Sequence, residues 1–175
     1  RLKTLHSNGY ASANHAIIEY RGENINVLNC HLSHPVRFVS RAFMPSDSSA
    51  YYFDLLNGAD AHHREEARLL AEYMRNLEGP TILAGDFNDT PNSYVYHQFS
   101  ASFQNAFATA GYGLGTTFGE WKLRQFLPTP LRPLALDYLR IDHIFCSNDF
   151  RIINAQVVPL DAFDHRPQII TLQLK

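Results

Sequence analysis

The alternation of apolar and polar residues divides the chain into short strands, an amphipathic helix and long polar connections. Residues 15–20 and 25–32 are predicted strands, and the polar break at 21–24 favours a hairpin between them. Residues 62–77 predict a helix, which the Gly-Pro pair at 79–80 ends. The apolar residues on one face of this helix recur at spacings of three and four: Ala67, Leu70, Ala71, Met74 and Leu77.

The second half of the chain continues with short elements. Residues 81–84 predict a buried strand, and residues 92–110 predict short helices. The remaining predicted strands are 140–147, 151–158 and 167–174. Residues 33–61 and 111–139 are predicted loops, because prolines, glycines and polar runs interrupt any period. The pattern indicates one strand-rich α/β domain.

Composition and charge narrow the class of protein. Hydrophobic residues make up 45% and aromatic residues 13% of the 175 residues, which is enough for a packed core and excludes a disordered chain. The formal net charge of −2 provides no strong overall attraction to nucleic acid or to an anionic membrane. No apolar run reaches 18 residues, so we predict no membrane span in these residues.

The two cysteines carry little information about the compartment. Cys30 and Cys146 both lie in apolar runs, which favours two buried thiols. A single disulfide between them stays open, because sequence does not show the distance between the two Cα atoms. The localisation is therefore unknown.

Four polar motifs lie where predicted strands begin or end. They are Asn-Cys-His-Leu at 29–32, Gly-Asp-Phe-Asn at 85–88, Arg-Ile-Asp-His-Ile-Phe at 140–145 and Asp-His-Arg-Pro at 164–167. Polar residues at strand ends can converge on one rim of a sheet. A rim of Asp, Asn and His provides oxygen ligands for Mg²⁺ or Mn²⁺ and imidazoles for proton transfer.

These motifs, in this order, resemble the endonuclease/exonuclease/phosphatase superfamily, which has the deoxyribonuclease-I-like fold. The resemblance extends from about residue 15 to residue 174. It implies an α/β (α+β) four-layer sandwich of two packed, mostly antiparallel β-sheets flanked by helices. It also implies a hydrolase that uses Mg²⁺ or Mn²⁺ to cleave phosphate esters, with nucleic acid, phosphoinositide or sugar phosphate, and sphingomyelin-like phospholipid as competing substrate classes.

The resemblance assigns roles to the first two motifs. It implies that Asp86 orients or deprotonates the attacking water and contributes to the metal site. Asn88 would bind a phosphate oxygen and steady Asp86, and His31 would contact the phosphate or assist the leaving group. Structural alternatives stay open, since Asp86 and Asn88 suit an Asx-type turn and His31 suits a buried core position.

The other two motifs supply a second set of roles. The resemblance implies that His165 is catalytic, that Asp142 hydrogen-bonds to it, and that Asp164 lies next to the metal. A carboxylate behind an imidazole fixes its tautomer and raises its pKa. The structural alternatives are an ordinary turn at Asp164 and an ion pair of Asp142 with Arg140 or Arg166.

Other residues give weaker indications. Trp121, Lys122 and Arg124 combine an aromatic ring with positive charge, which suits substrate binding or the anchoring of a long loop equally well. The histidine pair at 62–63 is predicted to be solvated at the start of a helix. His143 is predicted to be packed, because side chains alternate between the two faces of a strand and His143 therefore points to the face opposite Asp142.

One departure from the family bears on activity. The resemblance implies a metal site that also needs an Asn and a Glu, the latter in a Gln-Glu motif, on strands before the first hairpin, and neither is found here. We therefore expect residues 1–175 to be a single, N-terminally truncated domain that lacks strands of the first sheet. We expect it to bind metal weakly, to be inactive or nearly so alone, and to pair with other chains through exposed sheet edges. The alternative function is a catalytically incomplete fragment or binding module.

Overall fold

The computed structural model describes residues 2–7, 10–34, 49–119, 139–160 and 164–175. The strands are β1 (Leu2–Ser7), β2 (Tyr10–Tyr20), β3 (Glu23–His31), β4 (Thr81–Asp86), β5 (Gln104–Asn105), β6 (Asp142–Cys146), β7 (Phe150–Val157) and β8 (Gln168–Leu174). The helices are α1 (Ser49–Arg75), α2 (Tyr94–Ser100) and α3 (Ala106–Ala110).

The strands form a large sheet and a small one. The large sheet has the order β1-β2-β3-β4-β6-β5, and β7 pairs with β8 in the second sheet. The β3–β4 pair is parallel, and the other described pairs are antiparallel. This mixed α/β arrangement of two mostly antiparallel sheets with flanking helices confirms the predicted fold class.

The predicted hairpin is confirmed, and it is longer than expected. Arg21 and Gly22 have φ angles of 55° and 84°, the left-handed conformation at both central positions that a two-residue hairpin turn requires. Tyr20 and Glu23 then pair across the turn. The strand before it begins at Tyr10 rather than at residue 15, and it pairs on its other edge with the unpredicted β1. Ladder hydrogen bonds, rather than an apolar alternation, define β1.

Helix α1 shows where the predicted loop at 33–61 is wrong. The helix begins at Ser49, so residues 49–61 are helical, and it ends at Arg75 rather than at residue 77. Once a turn of helix exists, each further residue adds one hydrogen bond at little cost. The helix predicted from residue 62 onward can therefore extend toward the N-terminus through residues 49–61.

The core lies mainly between the large sheet and the first two helices. Leu28, Leu83 and Phe145 of the central strands are fully buried there, packed against Met74 of α1 and Phe99 of α2. Complete burial of such a side chain contributes roughly 1.5–3 kcal/mol. This packing fixes the strands whose ends carry the candidate site.

The opposite face of the large sheet packs against the small sheet. Cys146 of β6, Phe150 of β7 and the partly buried Leu172 of β8 belong to one apolar cluster on that face. Both cysteines are buried free thiols, as predicted, and burial raises the pKa of Cys146 to about 11.

The predicted short helices at 92–110 are confirmed, and their first turns are capped. The side chain of Ser93 accepts a hydrogen bond from the backbone N of Tyr96 at 3.0 Å, and that of Asn105 accepts one from Ala108 N at 2.9 Å. Ser and Asn are favoured at this position because they satisfy a free N–H of the first turn. Within the described ranges, no helix combines the length and apolarity that a bilayer span requires.

Candidate active site

Strand register places three of the predicted site residues side by side. Across the large sheet, His31 is the pairing partner of Asp86, and Asp86 is the pairing partner of Asp142. The first two residues end the parallel strands β3 and β4, and Asp142 begins the antiparallel strand β6. The motifs therefore meet at one rim, as their positions at strand ends predicted.

Gly85 allows two of these strands to approach closely. A Cβ atom built at Gly85 would lie 1.9 Å from the carbonyl oxygen of Cys30, a contact that no side chain can make. The glycine of the Gly-Asp-Phe-Asn motif is thus required by the backbone of β3. Without it, Asp86 would be pushed away from the end of β3.

His165 and Asp142 form a hydrogen-bonded pair. Nδ1 of His165 lies 2.9 Å from Oδ2 of Asp142, and Nε2 of His165 lies 3.9 Å from Oδ2 of Asp86. Burial by itself lowers the pKa of His165. The hydrogen bond to Asp142 and the nearby carboxylate charges outweigh burial, so the pKa is raised. The pair thus favours a cationic imidazole whose second nitrogen faces Asp86.

Asp86 is a half-buried carboxylate whose two oxygens have different surroundings. Oδ1 accepts a hydrogen bond from the backbone N of Asn88 at 2.8 Å. Oδ2 lies 3.6 Å from Nε2 of His31, whose side chain is 77% exposed. Burial raises the pKa of Asp86; Asp142 adds to this effect, and the Asn88 hydrogen bond opposes it. One oxygen is fixed and the other faces the rim.

Asn88 adopts a backbone conformation that few residues tolerate. Its φ angle is 51°, in the left-handed region where Asn is enriched. Its backbone N supports Asp86, whereas its side-chain Nδ2 donates to the carbonyl oxygen of Leu32 at 2.9 Å. Asn88 therefore ties the turn after β4 to the chain that leaves β3.

The sequence matches the model of the Endonuclease/Exonuclease/phosphatase family over residues 8–167. The chain belongs to this family. No curated protein matches the sequence. The family membership thus comes from the family model, and solved structures show the shared fold.

Three solved structures illustrate that likeness. An endonuclease/exonuclease/phosphatase from Bacteroides vulgatus has a TM-score of 0.67 and 20% identity, covering 99% of this chain and 67% of that one. The mannosyl-6-phosphatase of Bacteroides thetaiotaomicron has a TM-score of 0.63 and 18% identity, with the same two coverages. Humanized D. rerio TDP2 has a TM-score of 0.59 and 14% identity, covering 99% and 68%. The chain spans about two thirds of the length of these three proteins.

Two residues that the sequence did not indicate hold this rim from behind. The buried hydroxyl of Thr117 accepts hydrogen bonds from the backbone N of Ile141 and of Asp142, each at 3.1 Å. Gln168 donates from Nε2 to the backbone oxygen of Asp142. A lone Thr in a glycine-rich segment and a Gln at a strand start have no sequence signal of their own.

Of the predictions for the other histidines, one is correct and one is wrong. His143 is buried as predicted, and burial lowers its pKa to about 4. The prediction of a solvated His63 is wrong, because its side chain is fully buried and its Nε2 lies 3.3 Å from Oδ2 of Asp89. Its neighbour His62 is partly buried, with Nε2 3.5 Å from the buried carboxylate of Glu66.

The remaining predicted residues lie elsewhere. Asp164 is exposed, and its backbone oxygen accepts a hydrogen bond from Gly119 N at 3.1 Å. Trp121, Lys122 and Arg124 lie outside the described residues, so their predicted contacts with substrate stay predictions.

The donor set determines whether a divalent ion suits this rim. Ligand atoms of Asp86, Asp142 and His165 lie within 4.8 Å of one another, and carboxylate oxygens are the ligands that Mg²⁺ and Mn²⁺ prefer. His165 and Asp142 are already hydrogen-bonded to each other. The residues therefore fit an incomplete ligand set centred on Asp86.

Proposed function

We propose that this chain carries the catalytic rim of a divalent-metal-dependent hydrolase of phosphate esters. The observation that supports this most strongly is the meeting of Asp86, Asp142 and His165 within 4.8 Å at the ends of neighbouring elements. Membership of the endonuclease/exonuclease/phosphatase family supports the same reaction class.

In this proposal, Asp86 activates the attacking water. Its Oδ1 is fixed by the Asn88 backbone N, so Oδ2 has a defined direction in which to accept a proton. A raised pKa makes the carboxylate a better proton acceptor than an ordinary Asp. His31, 3.6 Å from Oδ2, would contact the phosphate or the leaving group.

His165 would stabilise the negative charge of the phosphate. The hydrogen bond from Nδ1–H to Asp142 leaves Nε2–H available for a phosphate oxygen, and the raised pKa favours the cationic form. A fixed cationic donor lowers the energy of a transition state in which charge spreads over the phosphate oxygens. The edge of the Phe118 ring packs against the imidazole and restricts its rotation.

Asp86 and Asp164 would hold the metal ion. Bound Mg²⁺ or Mn²⁺ would supply Lewis-acid polarisation of the phosphate and a lower pKa of the attacking water. Because few carboxylates converge among the described residues, we expect a dissociation constant on the order of millimolar. The expectation that the 175-residue chain alone is inactive, or nearly so, stays a prediction.

The substrate would be a phosphate ester, and three classes remain: nucleic acid, phosphoinositide or sugar phosphate, and phospholipid. A cavity of about 500 Å³ beside Asp142 and His165 has room for part of such a molecule. The net charge of −2 disfavours tight binding of duplex DNA, since phosphate contacts require many cations.

The test combines saturating Mn²⁺ with paired substrates. We expect slow cleavage of p-nitrophenyl phosphate or bis-p-nitrophenyl phosphate by the 175-residue chain at high enzyme concentration. Asp86→Asn and His165→Gln should abolish this cleavage, and the remote control Asp149→Asn should not. Cleavage that persists in both site variants contradicts the proposal.

Mn²⁺ also provides a readout that does not depend on turnover. Its paramagnetism broadens NMR signals of nearby nuclei, so the backbone amide of Asn88 and the ring of His165 should broaden first. The exposed terminus at Lys175 serves as the reference. Equal broadening of all three signals would indicate unspecific binding and would argue against a metal site at this rim.

A further inference from the structure

The turn after β4 is held by two buried histidines that the proposed chemistry does not use. Asp89 lies between them. Nε2 of His63, on α1, is 3.3 Å from the Asp89 carboxylate, and Nε2 of His143, on β6, is 2.9 Å from the Asp89 backbone oxygen. The side chains of both histidines are almost completely buried. Two elements distant in sequence thus hold one residue of the turn from different sides.

The hydrogen-bond partners of the two histidines determine which ring nitrogens carry a proton. A carbonyl oxygen accepts only, so His143 must donate from Nε2, and its lowered pKa keeps the ring neutral. The Asp89 carboxylate likewise requires a proton on Nε2 of His63. Burial raises the pKa of Asp89, but hydrogen bonds from His63, Ser93 and Thr90 outweigh burial and lower it. The link from α1 is therefore a charge-assisted hydrogen bond, which is stronger than one between neutral groups.

The residue next to Asp89 is the one that supports Asp86. Asn88 has a left-handed backbone and lies between Asp89 and the fully buried Phe87. Phe87 is fixed by its backbone hydrogen bond to Ile141 and by ring packing on Phe99. With both neighbours fixed, the peptide between residues 87 and 88 has little freedom, and the Asn88 N–H is aimed at Asp86.

We propose that His63 is a positioning residue: through Asp89 it holds the turn at 87–90 in the conformation in which Asn88 supports Asp86. Its importance for hydrolysis rests on the proposed function, whereas its effect on the turn does not. His63 touches neither the rim nor Asp86. It acts on the site from the helix layer, through a carboxylate that is itself outside the cluster of Asp86, Asp142 and His165.

Amide hydrogen exchange of Asn88, measured by NMR, tests the effect on the turn. The exchange rate is compared with that of Leu83 in the middle of β4, so that a change in global stability cancels. In His63→Phe, which keeps a ring but removes the donor, we expect Asn88 to exchange about tenfold faster relative to Leu83. In His63→Gln, whose amide can donate to Asp89, the ratio should return to within about twofold of the parent chain.

A matched control comes from another buried histidine. His15 lies on β2 and hydrogen-bonds to Tyr73 of α1 and to Asn26, far from the turn. His15→Phe should lower stability without changing the ratio of Asn88 to Leu83 exchange. An unchanged ratio in His63→Phe, or equal changes in His63→Phe and His15→Phe, would overturn the proposal.

Two further measurements keep the outcome decisive. If His63→Phe does not fold, Asp89→Ala removes the same link from a side chain that is 22% exposed, and the same change in the exchange ratio is expected. With substrate, His63→Phe should lower kcat while KM stays within about twofold, and His63→Gln should restore kcat. Hydrolysis that persists in Asp86→Asn and His165→Gln would contradict the proposed function, while the exchange ratio would still decide the role of His63.

Discussion

The pairing of His165 with Asp142 leads to a prediction about protonation. Asp142→Asn removes the negative charge 2.9 Å from Nδ1 of His165 but keeps the size of the side chain. Burial, the largest influence on His165, then acts with less opposition and lowers the pKa. We therefore expect the pKa of the His165 imidazole to fall in the variant, so that a smaller fraction of it is a cationic donor at any given pH.

The size of the change follows from distance and exposure. Two unit charges 4 Å apart interact by about 1 kcal/mol in water and by about 4 kcal/mol at an effective dielectric constant of 20. The His165 side chain is 34% exposed, so solvent screening brings the pair toward the lower figure. About 1.4 kcal/mol of lost attraction, equivalent to a tenfold change in the protonation equilibrium of His165 at a fixed pH, is the expected magnitude.

The pKa is measured by NMR titration of the His165 ring in metal-free buffer. The raised pKa means that the pair stabilises the fold fully below the ordinary value of 6.5, and that this contribution is lost as the pH rises through the raised pKa. In Asp142→Asn, that loss of stability across this window should disappear. Asp149→Asn, which changes an acid remote from His165, is the control. A His165 pKa that stays raised in Asp142→Asn would refute this explanation.

Three further predictions concern the rim and its support. Asp86→Asn should reduce hydrolysis by about 10²–10⁴-fold, which is the range of general-base catalysis. The Tm of this variant at pH 7 should stay equal or rise, because the raised pKa of Asp86 means that its ionised carboxylate destabilises the fold. Gly85→Ala should lower the free energy of unfolding by more than about 3 kcal/mol in urea denaturation, because the added Cβ would overlap the Cys30 carbonyl. Gly22→Ala is the control: its Cβ would meet no atom, so only the positive φ should cost stability, by about 1 kcal/mol. Thr117→Val should cost about 1–3 kcal/mol in the same assay, since it leaves two backbone N–H groups at the start of β6 without an acceptor; an unchanged midpoint would contradict this.

Local pattern predicted most elements and the place of the site. Three features depend only on residues close together in the chain and can therefore be predicted from sequence. They are the alternation in β3, the apolar face of α1 and the Gly-Asp-Phe-Asn motif after β4. The start of α1 was not predictable in this way, because Asn57 and Gly58 interrupt the apolar residues of its first part, which extends from helix already formed beyond it.

The order of strands and the contacts within the site depend on residues that are distant in sequence. β6 lies between β4 and β5, and no short-range pattern specifies this insertion. His63 and Asp89 are 26 residues apart, and Asp89 and His143 are 54 apart. Sequence placed His63 at a helix start and therefore in water; packing against the turn buried it.

The amino-acid sequence by itself determined the class of fold, the family and the kinds of side chain at the rim, because these depend on periodicity and on short motifs. Tertiary structure alone decided which atoms face each other. The Asn88 backbone, rather than its amide side chain, supports Asp86, and His165 turns one nitrogen to Asp142 and the other to Asp86. Such choices arise when strand register and helix packing bring distant groups within hydrogen-bonding distance, where burial and charge then set their pKa values.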